Sequence, residues 1–101
     1  MHNSESMDDD FKVSVEGQIR YLHRRIGELS NVVTGETMDF ELAKKMGHQI
    51  KGNAETFEFG DLTVMAKELE LRASASDKVG VLTSVQVLLV ALNNHLRKLE
   101  S

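Results

Sequence analysis

An all-α protein, arranged as an antiparallel up-and-down four-helix bundle, is the fold class this sequence predicts. Three observations lead there. Four stretches repeat apolar residues in steps of three and four, the period of a helix with one buried stripe. The 101 residues contain no Pro, so the commonest helix breaker is missing throughout. The breaks between the stretches are short, which makes successive helices antiparallel neighbours.

The first stretch runs from Phe11 to about Thr34, with Val15, Ile19, Leu22, Ile26, Leu29 and Val33 on one stripe and Gly35 as its stop. Asp39 is placed to cap the second, whose stripe is Ala43, Met46, Ile50, Ala54 and Phe57. Gly60 and Asp61 read as a stop and a new cap. The third helix uses Leu62, Met65, Ala66, Leu69 and Ala73 and is broken by the polar stretch Ser74 to Asp77. The last runs from about Asp77 to Leu99, with Val81, Val85, Leu88, Leu92, Leu96 and Leu99 inward. No segment shows the period-2 alternation of a strand, and none is expected.

Composition narrows the function. One small core fits this length, and two do not. The 12 basic and 16 acidic residues give a net charge of −4, and Glu5, Asp8, Asp9 and Asp10 account for all of it. Residues 1–10 are therefore expected to be a disordered acidic leader, and residues 11–101 a formally neutral folded domain. A neutral body offers no electrostatic footprint for nucleic acid or an anionic membrane. The absence of Cys excludes disulfides and thiolate metal sites and fits a reducing compartment. The acidic start lacks the layout of a signal peptide, and the longest purely apolar run, Val87 to Leu92, is too short to span a membrane. A cytoplasmic location is the expectation.

Function has to come from a site on this generic fold. On a helical wheel with His48 at zero, Ile50, Phe57 and Met46 fall on the far side, facing the bundle interior. Around His48 lie Glu41, Lys44, Lys45, Lys51, Gly52 and Glu55, a polar and mostly charged face. His48 should be exposed. Most exposed histidines are only surface residues, but two neighbours set this one apart. Gly52, one turn on, costs a helix interior about 1 kcal/mol relative to Ala, which suggests that something approaches the ring closely. Lys51 supplies a cation within reach of an anion bonded to the imidazole. Histidine forms covalent intermediates, and a phosphorylated imidazole is one such anion.

The stretch His48-Gln49-Ile50-Lys51-Gly52-Asn53-Ala54 resembles the signature of the histidine-containing phosphotransfer (HPt) domain family, His-x-x-Lys-Gly followed by small residues. Continued through Glu55-Thr56-Phe57-Glu58-Phe59, it is most similar to the phosphorylated N-terminal domains of chemotaxis histidine kinases. Those read His-Ser-Ile-Lys-Gly-Gly-Ala-Gly-Thr-Phe-Gly-Phe. Leu62 and the Leu69-Glu70 pair also fall where that family places a leucine and a Leu/Met-Glu pair. The specific match covers residues 46–70, and helix pattern alone extends it further.

The resemblance implies a phosphorelay carrier. His48 would take a phosphoryl group from a sensor kinase or a receiver-domain aspartate and pass it to a response-regulator receiver. Lys51 would attend the phosphate, and Glu70, 22 residues after the histidine, would hold the other ring nitrogen. Lys44, Lys45, Gly52 and Glu55 would meet the partner. No cofactor is implied for this chain, since the Mg²⁺ used in transfer belongs to the receiver. A monomer is expected.

Three departures stand out. Two glycines of the familiar pattern are Glu55 and Glu58 here, and on the wheel Glu55 sits almost directly above His48. A polar residue, often His, that accompanies the glutamate falls on Lys67. No kinase domains follow, and the starting Met and leader favour a stand-alone carrier. His23 and His95 read as helix-flank residues with no arrangement for a metal, and the Glu-x-x-His elements of a di-iron bundle are missing. No glycine-rich phosphate cradle occurs, so self-phosphorylation from ATP is not expected. The rival reading is a degenerate HPt-like bundle that binds or inhibits a kinase, a role that has no need of His48.

Overall fold

The computed structural model describes residues 13–101. The acidic leader and the expected helix start at Phe11 lie outside the described residues. The described chain is mostly helical: α1 (Val15–Ser30), α2 (Phe40–Asn53), α3 (Asp61–Ser74) and α4 (Lys78–Glu100). A hairpin of two short strands, β1 (Val33–Thr34) and β2 (Thr37–Met38), joins α1 to α2, and a 3₁₀ turn at Glu55–Phe57 follows α2. In sequence neighbours and around the ring, α1 packs on α2, α2 on α3, α3 on α4, and α4 back on α1.

Each helix begins where its cap chemistry allows. The Ser14 hydroxyl accepts from Gly17 N at the start of α1, the Asp39 carboxylate from Leu42 N before α2, and the Asp77 carboxylate from Gly80 N before α4. Each satisfies an amide that the helix itself cannot pair. Asp61 is not the cap of α3: Gly60 occupies that position without a side-chain bond, and Asp61 is the first helical residue.

The hairpin corrects the expectation of no strands. Helix α1 ends at Ser30, not Thr34, and Val33 pairs with Met38 and Thr34 with Thr37 in an antiparallel ladder. Gly35 stops no helix. It sits in the hairpin turn at φ +63°, a conformation that suits a residue without Cβ. A four-residue ladder is too short to show alternation, and its Val33 continued the helical stripe by coincidence of spacing. The hairpin lies in the α1–α2 connection and leaves the helix that carries His48 intact.

The core is built from Leu22, Leu29, Met46, Ile50, Leu62, Leu69, Val81, Leu88 and Leu92, all fully buried, with small Ala43, Ala54, Ala66 and Ala73 between them. Val15, expected inside, is exposed, while Val32, beyond the end of α1, is fully buried. The inner face of α1 also carries Gln18, Tyr21 and Arg25. These make a polar seam with α2: Gln18 Nε2 donates to Phe57 O (2.9 Å), Tyr21 Oη to Asn53 Oδ1 (2.8 Å), and Arg25 Nη1 to Gln49 Oε1 (3.1 Å). Tyr21 stacks on Phe57 at 4.2 Å. Burial raises the Tyr21 phenol above its usual range, with the Arg25 guanidinium working against it. Each bond satisfies a group that would otherwise be costly to bury, and together they fix the register of α1 on α2.

Candidate functional site

Helix α2 ends at Asn53, so His48 stands in its second half and Gly52 in its last turn. The buried stripe of α2 turns the opposite face outward, and the His48 side chain is 71% exposed. With Glu41, Lys44, Lys45 and Glu70 it lines one shallow depression on the surface. The exposure expected from the wheel is what the structure has.

Two helices build the site, and one glycine sets their distance. Gly47 lies in the buried stripe of α2, in the series Ala43, Gly47, Ile50, Ala54. A Cβ at Gly47 would stand 2.7 Å from Glu70 N and 2.8 Å from Ala66 O, closer than atoms approach. The missing side chain therefore lets the α2 and α3 backbones touch at Gly47, one residue from His48 and against Glu70 itself. Sequence reasoning missed this residue. Its position in the 43–47–50–54 series, opposite the small Ala66 on α3, was the available signal.

That close approach brings Glu70 between the two groups it was expected to serve. Its Oε2 lies 3.2 Å from His48 Nδ1, and its Oε1 accepts from Lys51 Nζ at 2.6 Å. Glu70 is only 20% exposed, and the two bonds use both of its oxygens. The Lys51 ammonium, then His48, holds the Glu70 carboxyl below the usual carboxylate range, against the opposing effect of burial. With Nδ1 as the donor to this ionised carboxylate, Nε2 carries the lone pair; it makes no hydrogen bond among the described residues. Lys51 is turned to Glu70 in this state.

Gly52 faces open space, with nothing within 4 Å of a Cβ built on it, and Lys44 and Lys45 are exposed on the same helix. Glu55 departs from the expected arrangement. The wheel carried α2 one turn too far; the chain tightens into the 3₁₀ turn, and Glu55 lies over Gly60, its Cγ 3.6 Å from where a Cβ there would stand. Glu58, the other carboxylate in place of a glycine, adopts φ +72°, a left-handed conformation that favours glycine. Lys67 is exposed on α3.

The other two histidines among the described residues each meet a nearby carboxylate. His23 lies 3.5 Å from Glu100 on the surface. His95 Nε2 meets the Asp61 carboxylate at 2.9 Å while its ring packs on Phe59 at 4.5 Å, tying α4 to the start of α3. Among the described residues, no three His, Asp or Glu are grouped to hold a metal ion. Comparison of the chain with protein-family models, curated proteins and solved structures finds no match.

Proposed function

We propose that this protein is a phosphorelay carrier of the HPt type, an antiparallel up-and-down four-helix bundle whose His48 relays a phosphoryl group between two-component partners. The observation that carries the reading is the imidazole itself: exposed at 71%, its Nδ1 held by a buried-side carboxylate, and its Nε2 unoccupied. His23 and His95 also meet a carboxylate of another helix, but among the described residues only the carboxylate at His48 is held on its second oxygen by a lysine and lies largely shielded from solvent.

The chemistry follows from that geometry. The Nε2 lone pair attacks phosphorus of an aspartyl phosphate in line, the P–O bond to the acyl oxygen breaks, and the aspartate leaves as carboxylate. No proton has to move, because Nδ1–H stays bonded to Glu70 throughout. The phosphorylated ring is cationic, and the adjacent Glu70 carboxylate stabilises that charge. In the return step a receiver carboxylate attacks the same phosphorus and the N–P bond breaks. Lys51 neutralises Glu70 in the resting state and stands one turn from the transferring oxygens, where its charge offsets theirs. Lys44, Lys45 and the bare surface at Gly52 form the ground on which a receiver lands. Mg²⁺ is supplied by the receiver.

The partners are thus a response-regulator receiver and a sensor kinase, by the chemistry of donor and acceptor. Incubation with a phosphorylated receiver should place an acid-labile, base-stable label on this chain, and ATP alone should not. His48→Gln should abolish the label with the helical circular dichroism unchanged. Label that persists in that variant, on His23 or His95, sinks the assignment.

A further inference from the structure

Helix α4 has two uncharged stripes on opposite sides, one apolar and buried in the bundle, the other carrying three valines and facing solvent. Val81, Val85, Leu88, Leu92 and Leu96 are buried. Val79, Thr83, Val87, Val90 and Asn94 recur at the same three-and-four spacing, centred about 180° away at 100° per residue. Val79 is 75% exposed and Val90 62%. On α3, Val64 is 75% exposed and lines the same groove as Val87, while Arg72 and Gly80 line its far end. Exposed valines gain nothing from helix propensity, in which they rank below Lys, Glu or Gln. Contiguous apolar surface of this kind marks a contact site.

We infer that this α3–α4 face is a self-association surface, on which a second copy of the chain docks its own α4 antiparallel about a two-fold axis near Val87. Charge selects the occupant. Between Lys78 and Arg97 the helix has no Asp, Glu, Lys or Arg, and the charges that α3 adds to the groove, Glu68 and Arg72, are paired with each other, so a partner with charges on its face would bury its own unpaired. The chain itself presents a matching uncharged strip, and an isologous contact sets that strip against itself. The antiparallel sense follows from the ends: a parallel pair would set like ends of the helix dipole together and crowd Arg97 and Lys98 of both copies, whereas the antiparallel pair sets opposite ends side by side and separates those cations. The midpoint of the uncharged segment falls at Val87.

The size suits a modest dimer. Helix α4 is 23 residues and α3 is 14. At about 1.5 Å per residue and about 10 Å of width each, the two present a face of about 500 Å², at the low end for a specific interface. Weak, concentration-dependent association is the consequence, and the expectation of a monomer drawn from the sequence then holds only for dilute solution. Glu68, on the groove, and Glu70, at His48, are 200° apart around α3. Docking on this face therefore leaves both His48 sites exposed, and the inference stands independently of phosphotransfer.

Sedimentation velocity from about 1 μM to about 1 mM should show the mass doubling. Val87→Glu and Val90→Glu, both at exposed positions, should weaken the dimer at least tenfold with unchanged helical content. The chain has no Cys, so a single introduced one reports the axis. Val87→Cys should form an interchain disulfide on oxidation, and Val79→Cys, about 12 Å along the helix from the axis in each copy, should not. A monomer across the whole range overturns the inference. So does cross-linking at position 79 as readily as at 87, which is the parallel arrangement. A monomer that instead binds uncharged lipid vesicles through the same valines overturns it in favour of a membrane.

Discussion

Two glycines five residues apart on α2 do opposite work. Gly47 is a spacer, since its Cβ would strike backbone atoms of α3 that have no freedom to yield. Gly47→Ala should cost about 1–3 kcal/mol through overpacking, despite the better helix propensity of Ala. It should also slow phosphotransfer, because the displaced backbone is that of Glu70. Gly52 meets nothing, so Gly52→Ala should stabilise the fold, measured by urea denaturation. The gain is smaller than the full propensity difference of about 1 kcal/mol, since α2 ends at Asn53 and the last turn is only partly committed to helix. Gly52→Gln should likewise fold, yet transfer poorly, because its side chain stands where the receiver must land. Normal transfer by Gly52→Gln would remove close approach as the reason for that glycine. Lys51→Ala and Glu70→Ala should both slow transfer while the label stays on His48; wild-type rates in both would reduce the pair to surface charges.

Among the elements, the helices that were legible in the sequence are those whose stripes are purely apolar. The stripes of α3 and α4 and the cap at Asp39 follow directly from spacing and cap chemistry, whereas Asp61, read as a cap, is the first residue of α3. The first helix was harder, because its inward face mixes Gln18, Tyr21 and Arg25 with Leu22 and Leu29, and a hydrophobic period cannot register polar residues that are buried because they are bonded. Site residues His48, Lys51 and Glu70 were legible, being sequence-local or at a motif spacing; Gly47 was not, because its role exists only once α3 is laid against it. The end of α2 was missed for a related reason. The wheel has no way to anticipate a 3₁₀ turn closed by a non-glycine residue at positive φ. That residue, Glu58, gives the element-scale prediction: left-handed backbone costs an L-residue about 1–2 kcal/mol, partly offset by the greater entropy Gly loses on folding. Glu58→Gly should therefore stabilise the protein by about 0.5–1 kcal/mol, and a loss of stability would mean the carboxylate has a compensating partner.

For the molecule as a whole, the Glu70 bridge links the site to global stability through pH. Lys51 and His48 hold the Glu70 carboxyl below its usual range, so the folded state binds its proton less readily than the unfolded chain does. The sign is that of a depressed carboxylate: the stabilisation is fully present above the unfolded value of about 4.3 and is lost as pH falls through the folded one. Acid unfolding draws on many carboxylates at once, so the absolute curve does not isolate Glu70. The difference between wild type and Glu70→Gln does. Urea denaturation at one fixed protein concentration, which holds any self-association constant, should find wild type more stable at neutral pH. The two curves should converge below the carboxylate range, where Glu70 is protonated and resembles the amide. Lys51→Ala should shrink the difference, since the ammonium is the largest cause of the shift. A wild-type advantage that stays constant into acid would show that the Glu70 side chain does not act on stability through its charge.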